Sequence, residues 1–193
     1  TFQGEVLKPL DEASLDKVLD RIEASGVNSV AISLLHSYAN PIHEERIAAA
    51  VRERLPDANL SVSSELLPEM REYERTSTTV INAYVRPVVA KYLGDLSREL
   101  QETGIRVPLT VMQSNGGLAP VESAIEKPMY CIESGPAAGV VGAYHLGKRL
   151  GIKNVMTFDM GGTTAKASII EDGEMLLAPE YEVGGGMSAG HRL

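Results

Sequence analysis

The sequence predicts an α/β protein: a parallel α/β layer, then a β-hairpin whose glycine-rich turn is suited to phosphate. Three observations predict it. Helical and strand patterns alternate over 11–64, as they do where helices join parallel strands. The apolar run Val155-Met156-Thr157-Phe158 leads into Asp159-Met160-Gly161-Gly162-Thr163-Thr164 and then into a second β-compatible run at 165–170. Just before it, 133–147 reads as a helix built mostly of small residues.

Residues 11–25 form the first helix, with Leu15, Val18, Leu19 and Ile22 on one apolar face and Gly26 ending it. Residues 28–35 read as a buried strand. His36, Ser37 and Tyr38 follow at its carboxyl end, where ligands sit in parallel α/β layers. Two readings stand for His36 and Ser37: they face a ligand crevice, or they satisfy loop backbone while Asn40 caps the next helix. Asn40-Pro41 open that helix as cap and first residue. Ile42, Ile47, Ala50, Val51 and Leu55 supply its apolar positions, and Pro56 stops it. His43-Glu44-Glu45 lacks the second histidine, four residues on, that a zinc-binding helix needs, so it is assigned no metal role. Residues 60–64 form a second strand.

Residues 66–76 turn sharply charged, with Pro68, Glu69, Arg71, Glu72, Glu74 and Arg75, and mark the best domain boundary. Arg71 and Arg75, four apart, could grip a carboxylate or phosphate, since guanidinium offers paired donors. Interleaved with Glu72 and Glu74, they read better as a solvated ion-pair cluster. Helices at 76–85 and 88–103 flank a break at Arg86-Pro87, and Gly104 ends the second. A strand at 107–112 runs into the polar turn Gln113-Ser114-Asn115-Gly116-Gly117. That turn either reads a small polar substrate or nucleotide through Ser114 and Asn115, or is a simple Asn-Gly reversal. A short helix at 120–127 and a strand at 129–133 follow, the latter carrying Cys131 as a buried or half-buried residue.

In the 133–147 helix, Pro136 sits in the first turn, and Gly135, Ala138, Gly139, Gly142, Ala143 and Leu146 share one face. Each glycine weakens a helix by about 1 kcal/mol relative to alanine, so the stripe asks for close backbone packing. A tightly packed core helix would supply it, and so would a helix crossing between two hinged lobes. After the turn, Glu171-Asp172-Gly173-Glu174 closes the second strand as a hairpin, so the glycines join two strands. A P-loop carries Gly-Lys-Ser/Thr and opens a helix, as a dinucleotide fingerprint also does, and both are disfavoured. In a hairpin phosphate clamp, the backbone N–H groups of Gly161, Gly162, Thr163 and Thr164 approach anionic oxygens, and the threonine hydroxyls add donors. Asp159 would hold magnesium, through water. The bland alternative is a tight hairpin whose aspartate caps the turn. A further strand is expected over 174–183.

The small-residue helix followed by strand, Asp-x-Gly-Gly-Thr turn and strand resembles the linking helix and second phosphate loop of the actin, sugar kinase and heat-shock chaperone ATPase superfamily. A closer resemblance covers nearly the whole chain. Leu35-His36-Ser37-Tyr38-Ala39-Asn40-Pro41, Arg71-Glu72-Tyr73-Glu74-Arg75-Thr76-Ser77-Thr78-Thr79, Met112-Gln113-Ser114-Asn115-Gly116-Gly117, Ser134-Gly135-Pro136-Ala137-Ala138-Gly139 and the Asp159 turn, in this order, resemble the hydantoinase A / 5-oxoprolinase family. The resemblance implies an actin-like (ribonuclease H-like) ATPase fold, with 1–72 closing the family's N-terminal domain and 73–193 opening its ATPase domain. It implies ATP-dependent opening of a cyclic amide such as a hydantoin or 5-oxoproline, with ATP and Mg2+, in some relatives with a second subunit. Ketone carboxylation, sugar- or acid-kinase phosphotransfer and a non-catalytic nucleotide-binding lobe are the alternatives. In this assignment Asp159 and Thr163 are catalytic and Asp159 holds the metal. Gly161, Gly162, Thr163, Thr164 and Gly135 bind phosphate, Glu133, Ser134 and Gly135 line the hinge, and His36, Ser114 and Asn115 face substrate. One departure stands out: Lys166 occupies a place where family members often carry an aspartate. It cannot bind magnesium but could contact phosphate.

Composition bounds the rest. At 193 residues, 44% hydrophobic and 23% charged, the chain can bury a real core. Its net charge of -8 argues against a nucleic-acid or anionic-membrane binder. No apolar run approaches the ~20 residues of a membrane-spanning helix. One cysteine excludes an internal disulfide and fits a reducing cytoplasm. Thr1 at the start, and Gly184-Gly185-Gly186 close to the end, lead to the expectation of an internal fragment, inactive alone.

Overall fold

The computed structural model describes residues 1–162 and 164–176. The chain divides into two compact units, with the division between Lys91 and Tyr92. Among the described residues, no helix is long and apolar enough to cross a membrane.

The first unit is the predicted parallel layer. Helix α1 (Glu12–Ser25) starts at Asp11, whose carboxylate accepts the Ala13 and Ser14 N–H groups at 3.1 and 3.2 Å, and ends at Gly26 with φ 68°. Strand β1 (Ser29–Ile32) and strand β2 (Asn59–Val62) pair in parallel, with helix α2 (Ile42–Arg54) crossing between them. Leu15, Leu19, Ile32, Ala48, Ala50, Val51 and Val62 form the core. Strand β1 is shorter than expected and buries only Ile32. The Asn40 carboxamide accepts the Ile42 N–H at 3.1 Å, so Asn40 caps α2 across Pro41.

Residues 63 and 64 leave the predicted strand for a one-turn helix, α3 (Ser63–Leu66). The cause is Glu44, wholly buried on α2. Its carboxylate accepts the Ser63 hydroxyl at 2.7 Å, the Ser64 N–H at 2.9 Å and the Leu34 N–H at 2.7 Å, capturing the first donors of the turn. Burial alone would raise this carboxyl, and the three bonds outweigh it, holding it below the ordinary value of 4.5. Protons therefore bind the unfolded chain first. The group's contribution is complete above 4.5 and is lost as pH falls through the lower folded value. Glu44→Gln should cost about 1–3 kcal/mol at neutral pH, and its deficit against wild type should shrink as urea midpoints are followed below pH 4.5. Parallel acid limbs would contradict this.

Helix α4 (Glu72–Glu102) runs unbroken through Pro87, where a break was predicted. Proline lacks the N–H that would bond the Ala83 carbonyl. That carbonyl instead accepts the Ser29 hydroxyl of β1 at 2.5 Å, so the orphaned acceptor is satisfied from outside the helix. The arginine cluster is also corrected. Arg71 is exposed and pairs with Glu74 at 3.7 Å, but Arg75 is fully buried. Arg75 donates to the Leu34 carbonyl at 2.6 Å, the Glu69 carbonyl at 3.0 Å and the Ser63 hydroxyl at 3.1 Å, and its guanidinium lies 5.5 Å from the Tyr38 ring centre. It ties loop, turn and helix together rather than gripping a ligand.

In the second unit, β3 (Thr110–Met112) and β4 (Leu118–Pro120) form a short antiparallel hairpin around the polar turn, followed by α5 (Val121–Glu126). The predicted strand at 129–133 is a 3-10 turn, Pro128–Cys131. The Tyr130 carbonyl accepts both the N–H and the hydroxyl of Ser114, at 2.6 and 2.8 Å, and so serves no strand ladder. Cys131 is half-buried, which raises its thiol pKa. Helix α6 (Ser134–Leu150) then leads to the antiparallel strands β5 (Val155–Met160), β6 (Ala165–Glu171) and β7 (Glu174–Met175). Where α6 meets β5 it needs glycine. A Cβ on Gly147 would lie 3.0 Å from the Ile152 carbonyl oxygen and 3.1 Å from Val155 Cγ2. Beyond 176 the expected strand lies outside the described residues.

Candidate functional site

The hairpin register places the chemistry. The pairs Val155 with Ile170, Thr157 with Ser168 and Asp159 with Lys166 point to one face, against which α6 packs. Met156, Phe158, Met160 and Ile169 occupy the opposite, exposed face. The last pair before the turn is Met160 with Ala165, and the Gly161 N–H closes the turn on the Thr164 carbonyl at 3.0 Å. Among the described residues, nothing lies near the position a Cβ on Gly162 would take. Thr163 lies outside the described residues.

Asp159 is exposed at the end of β5, and among the described residues its carboxylate accepts no hydrogen bond. Opposite it, the Lys166 ammonium donates to Glu133, the residue that caps α6. Glu133 is held in turn by the polar turn: its N–H donates to the Ser114 hydroxyl at 3.3 Å, and that hydroxyl donates to the Tyr130 carbonyl at 2.8 Å. The Asn115 carboxamide accepts the Gly117 N–H at 2.8 Å, and Gly116, at φ 83°, lies so close to α6 that a Cβ would meet Val141 Cγ2 at 2.9 Å. Ser114 and Asn115 thus shape the reversal and fix the start of α6.

The small-residue face of α6 does not find its partner here. Gly135, Gly139 and Gly142 are exposed, and an added Cβ at any of them would meet nothing among the described residues. Gly135 sits one residue after Ser134, the first residue of α6.

His36 belongs to the other unit. Its backbone is left-handed, φ 61°, and its N–H donates to Glu72 at 3.4 Å. Its Nδ1 is buried and, among the described residues, has no hydrogen bond; it lies 3.6 Å from the same carboxylate, and its ring meets Tyr38 edge-on at 6.1 Å. A positive φ at a non-glycine residue beside a buried unpaired nitrogen is a strained arrangement, of the kind that gathers at sites. The Glu72 carboxyl is held below its usual range by backbone N–H bonds, its own first and then that of His36, against a smaller burial effect and with help from Arg75.

Among the described residues, no three His, Cys, Asp or Glu side chains group closely enough to cage a metal. Beside the glycine turn, the carboxylate left without a partner among the described residues is Asp159, since Glu133 is taken by Lys166. Such a donor fits magnesium, which keeps several waters and takes one or two carboxylates plus phosphate oxygens, and does not fit a cage-bound ion.

Comparison with known proteins bears on this geometry. Residues 75–193 match the family described as Hydantoinase/oxoprolinase, and residues 1–55 match the Hydantoinase/oxoprolinase N-terminal region. The alpha subunit of caprolactamase from Pseudomonas jessenii is 41% identical over 88% of this chain and 24% of its own length. The solved structure of that ATP-dependent enzyme superposes with a TM-score of 0.79, covering 86% of this chain and 24% of that one. The 5-oxoprolinase of Saccharomyces cerevisiae is 36% identical over 88% of this chain and 13% of its own length. A nucleotide-free acetone carboxylase structure superposes with a TM-score of 0.82 at 29% identity, covering 95% of this chain and 26% of that one. The chain thus has the mixed α/β, actin-like ATPase-type fold of these enzymes and spans about a quarter or less of each.

Proposed function

Because the chain belongs to the hydantoinase/oxoprolinase family, we propose that it is part of an ATP-dependent hydrolase that opens a cyclic amide. The observation that carries this reading is the free Asp159 carboxylate beside an open glycine turn at the head of a hairpin, in a chain 41% identical to a caprolactamase subunit. In the same proposal 1–72 completes an N-terminal domain and 73–193 begins the ATPase domain, and a second subunit joins the working enzyme, as the relatives' names as subunits suggest.

A ring amide resists water because resonance makes its carbonyl a poor electrophile. Phosphoryl transfer from ATP to the amide oxygen makes that oxygen a leaving group. Water adds at the carbon, the C–N bond breaks and the nitrogen takes a proton. A second water releases the phosphate, so one ATP and two waters yield amino acid, ADP and phosphate. The protein's task is positioning and charge neutralisation. The Gly162 and Thr164 N–H groups cradle phosphate, Gly161 shapes the cradle by closing the turn on the Thr164 carbonyl, and Thr163 is assigned to the same loop from the sequence. Asp159 holds magnesium, directly or through water, and the metal when bound neutralises phosphate charge. Gly135, with Glu133 and Ser134, lets the start of α6 approach the nucleotide. His36, with its buried Nδ1, is the substrate-facing candidate of the first unit and the Asn115 amide that of the second, while the Ser114 hydroxyl holds the turn.

A second reading, ketone carboxylation, is favoured by the acetone carboxylase superposition. The two are separated by phosphate release from the full-length protein and its partner subunit with ATP and Mg2+. Lactams, 5-oxoproline or hydantoins should raise the rate above basal, and simple ketones should not. Stimulation by ketone plus bicarbonate alone would transfer the assignment to the carboxylases.

A further inference from the structure

The Lys166 ammonium lies among charges that the proposed function leaves unexplained. It stands opposite Asp159 in the hairpin and is bound to Glu133 at the start of α6. With side chains 31% and 25% exposed, Lys166 and Glu133 are sheltered yet open to an incoming ligand. Two carboxylates and one ammonium leave this corner of the site net negative, which opposes the approach of a polyphosphate. Among the described residues, Lys166 supplies a cation beside the glycine turn, and in the structure it is bound to Glu133.

Resting on the reading of the hairpin as a phosphate site, we propose that Lys166 contacts the terminal phosphate of ATP and that Glu133 is its positioning residue and competitor. Without nucleotide, Glu133 parks the ammonium at the mouth of the turn. A terminal phosphate, more highly charged than a carboxylate, takes the ammonium over. Lys166 is the direct cross-strand neighbour of Asp159, so a phosphoryl group held by the glycine turn would lie beside both side chains. The exchange requires that phosphate. ADP leaves Lys166 on Glu133, and the corner therefore tells ATP from ADP.

The test is calorimetric titration of the full-length protein with MgATP and with MgADP. Lys166→Ala and Lys166→Gln should weaken ATP binding about 10-fold or more, the range for hydrogen bonds to charged groups, and leave ADP binding within about 2-fold. Lys166→Arg should restore most of the preference. Glu133→Gln should move the other way, keeping or tightening ATP affinity, because it removes the competing charge. A merely structural ion pair predicts something else: both substitutions would weaken both nucleotides alike and lower the melting temperature together. That outcome overturns the proposal, as does an unchanged ATP-over-ADP preference in Lys166→Ala. Failure of the underlying reading looks different, since wild type would then bind neither nucleotide, or Asp159→Ala would keep full turnover.

Discussion

Asp159→Ala in the full-length protein is expected to lower ATP turnover by about 10³-fold or more, the scale of losing a group aimed at developing phosphate charge. The fold should survive. Asp159 is exposed and, among the described residues, accepts no hydrogen bond, so its removal should change stability by no more than about 0.5 kcal/mol. Asp159→Asn keeps the shape and loses the charge, and should be nearly as inactive. Phosphate release and thermal unfolding measured side by side check both halves. Turnover close to wild type would remove Asp159 from the chemistry. A large fall in melting temperature would make it a structural residue.

The largest effect on stability is expected at Arg75. Its guanidinium is fully buried and serves the Leu34 and Glu69 carbonyls and the Ser63 hydroxyl, which in turn donates to the buried Glu44. Arg75→Ala leaves these acceptors unpaired around a cavity and takes the cation from the network containing Glu44, at a cost of about 3–5 kcal/mol. Arg75→Lys should recover little, because one ammonium cannot reach three acceptors set for a planar fork. Urea unfolding reads the result as a shift in midpoint. A shift equivalent to less than about 1 kcal/mol would mean that the network is not what holds α3 and α4 to the loop after β1.

What the sequence discloses follows from where the determining partners lie. The β5–β6 hairpin was legible because its turn chemistry is local: an aspartate, two glycines and two threonines between β-compatible runs. Counting outward from that turn also puts Lys166 opposite Asp159, so this neighbour was readable from the register. Its link to Glu133 was not, since those residues lie 33 positions apart. The continuity of α4 was illegible for the same kind of reason. Pro87 signals a break, and only the Ser29 hydroxyl, 54 positions before Ala83, removes its cost. Arg75 looked like a solvated charge among glutamates, because nothing within its own helix announces that Leu34 and Ser63 await it. The 3-10 turn at Pro128–Cys131 replaced a strand because Ser114 claims the Tyr130 carbonyl. The small-residue face of α6 was read correctly as a pattern, but the close packing inferred from it is not met among the described residues.

The central claim is that ATP hydrolysis is spent on opening a cyclic amide. It is tested most directly by following ADP, free phosphate and organic product together, in the full-length protein with the proposed second subunit, Mg2+, ATP and a lactam. Ring-opened amino acid, ADP and phosphate should rise in equal amounts, with no ring opening when ATP is withheld. A phosphorylated organic product accumulating in step with ADP, without free phosphate, would contradict the account and make the parent protein a kinase.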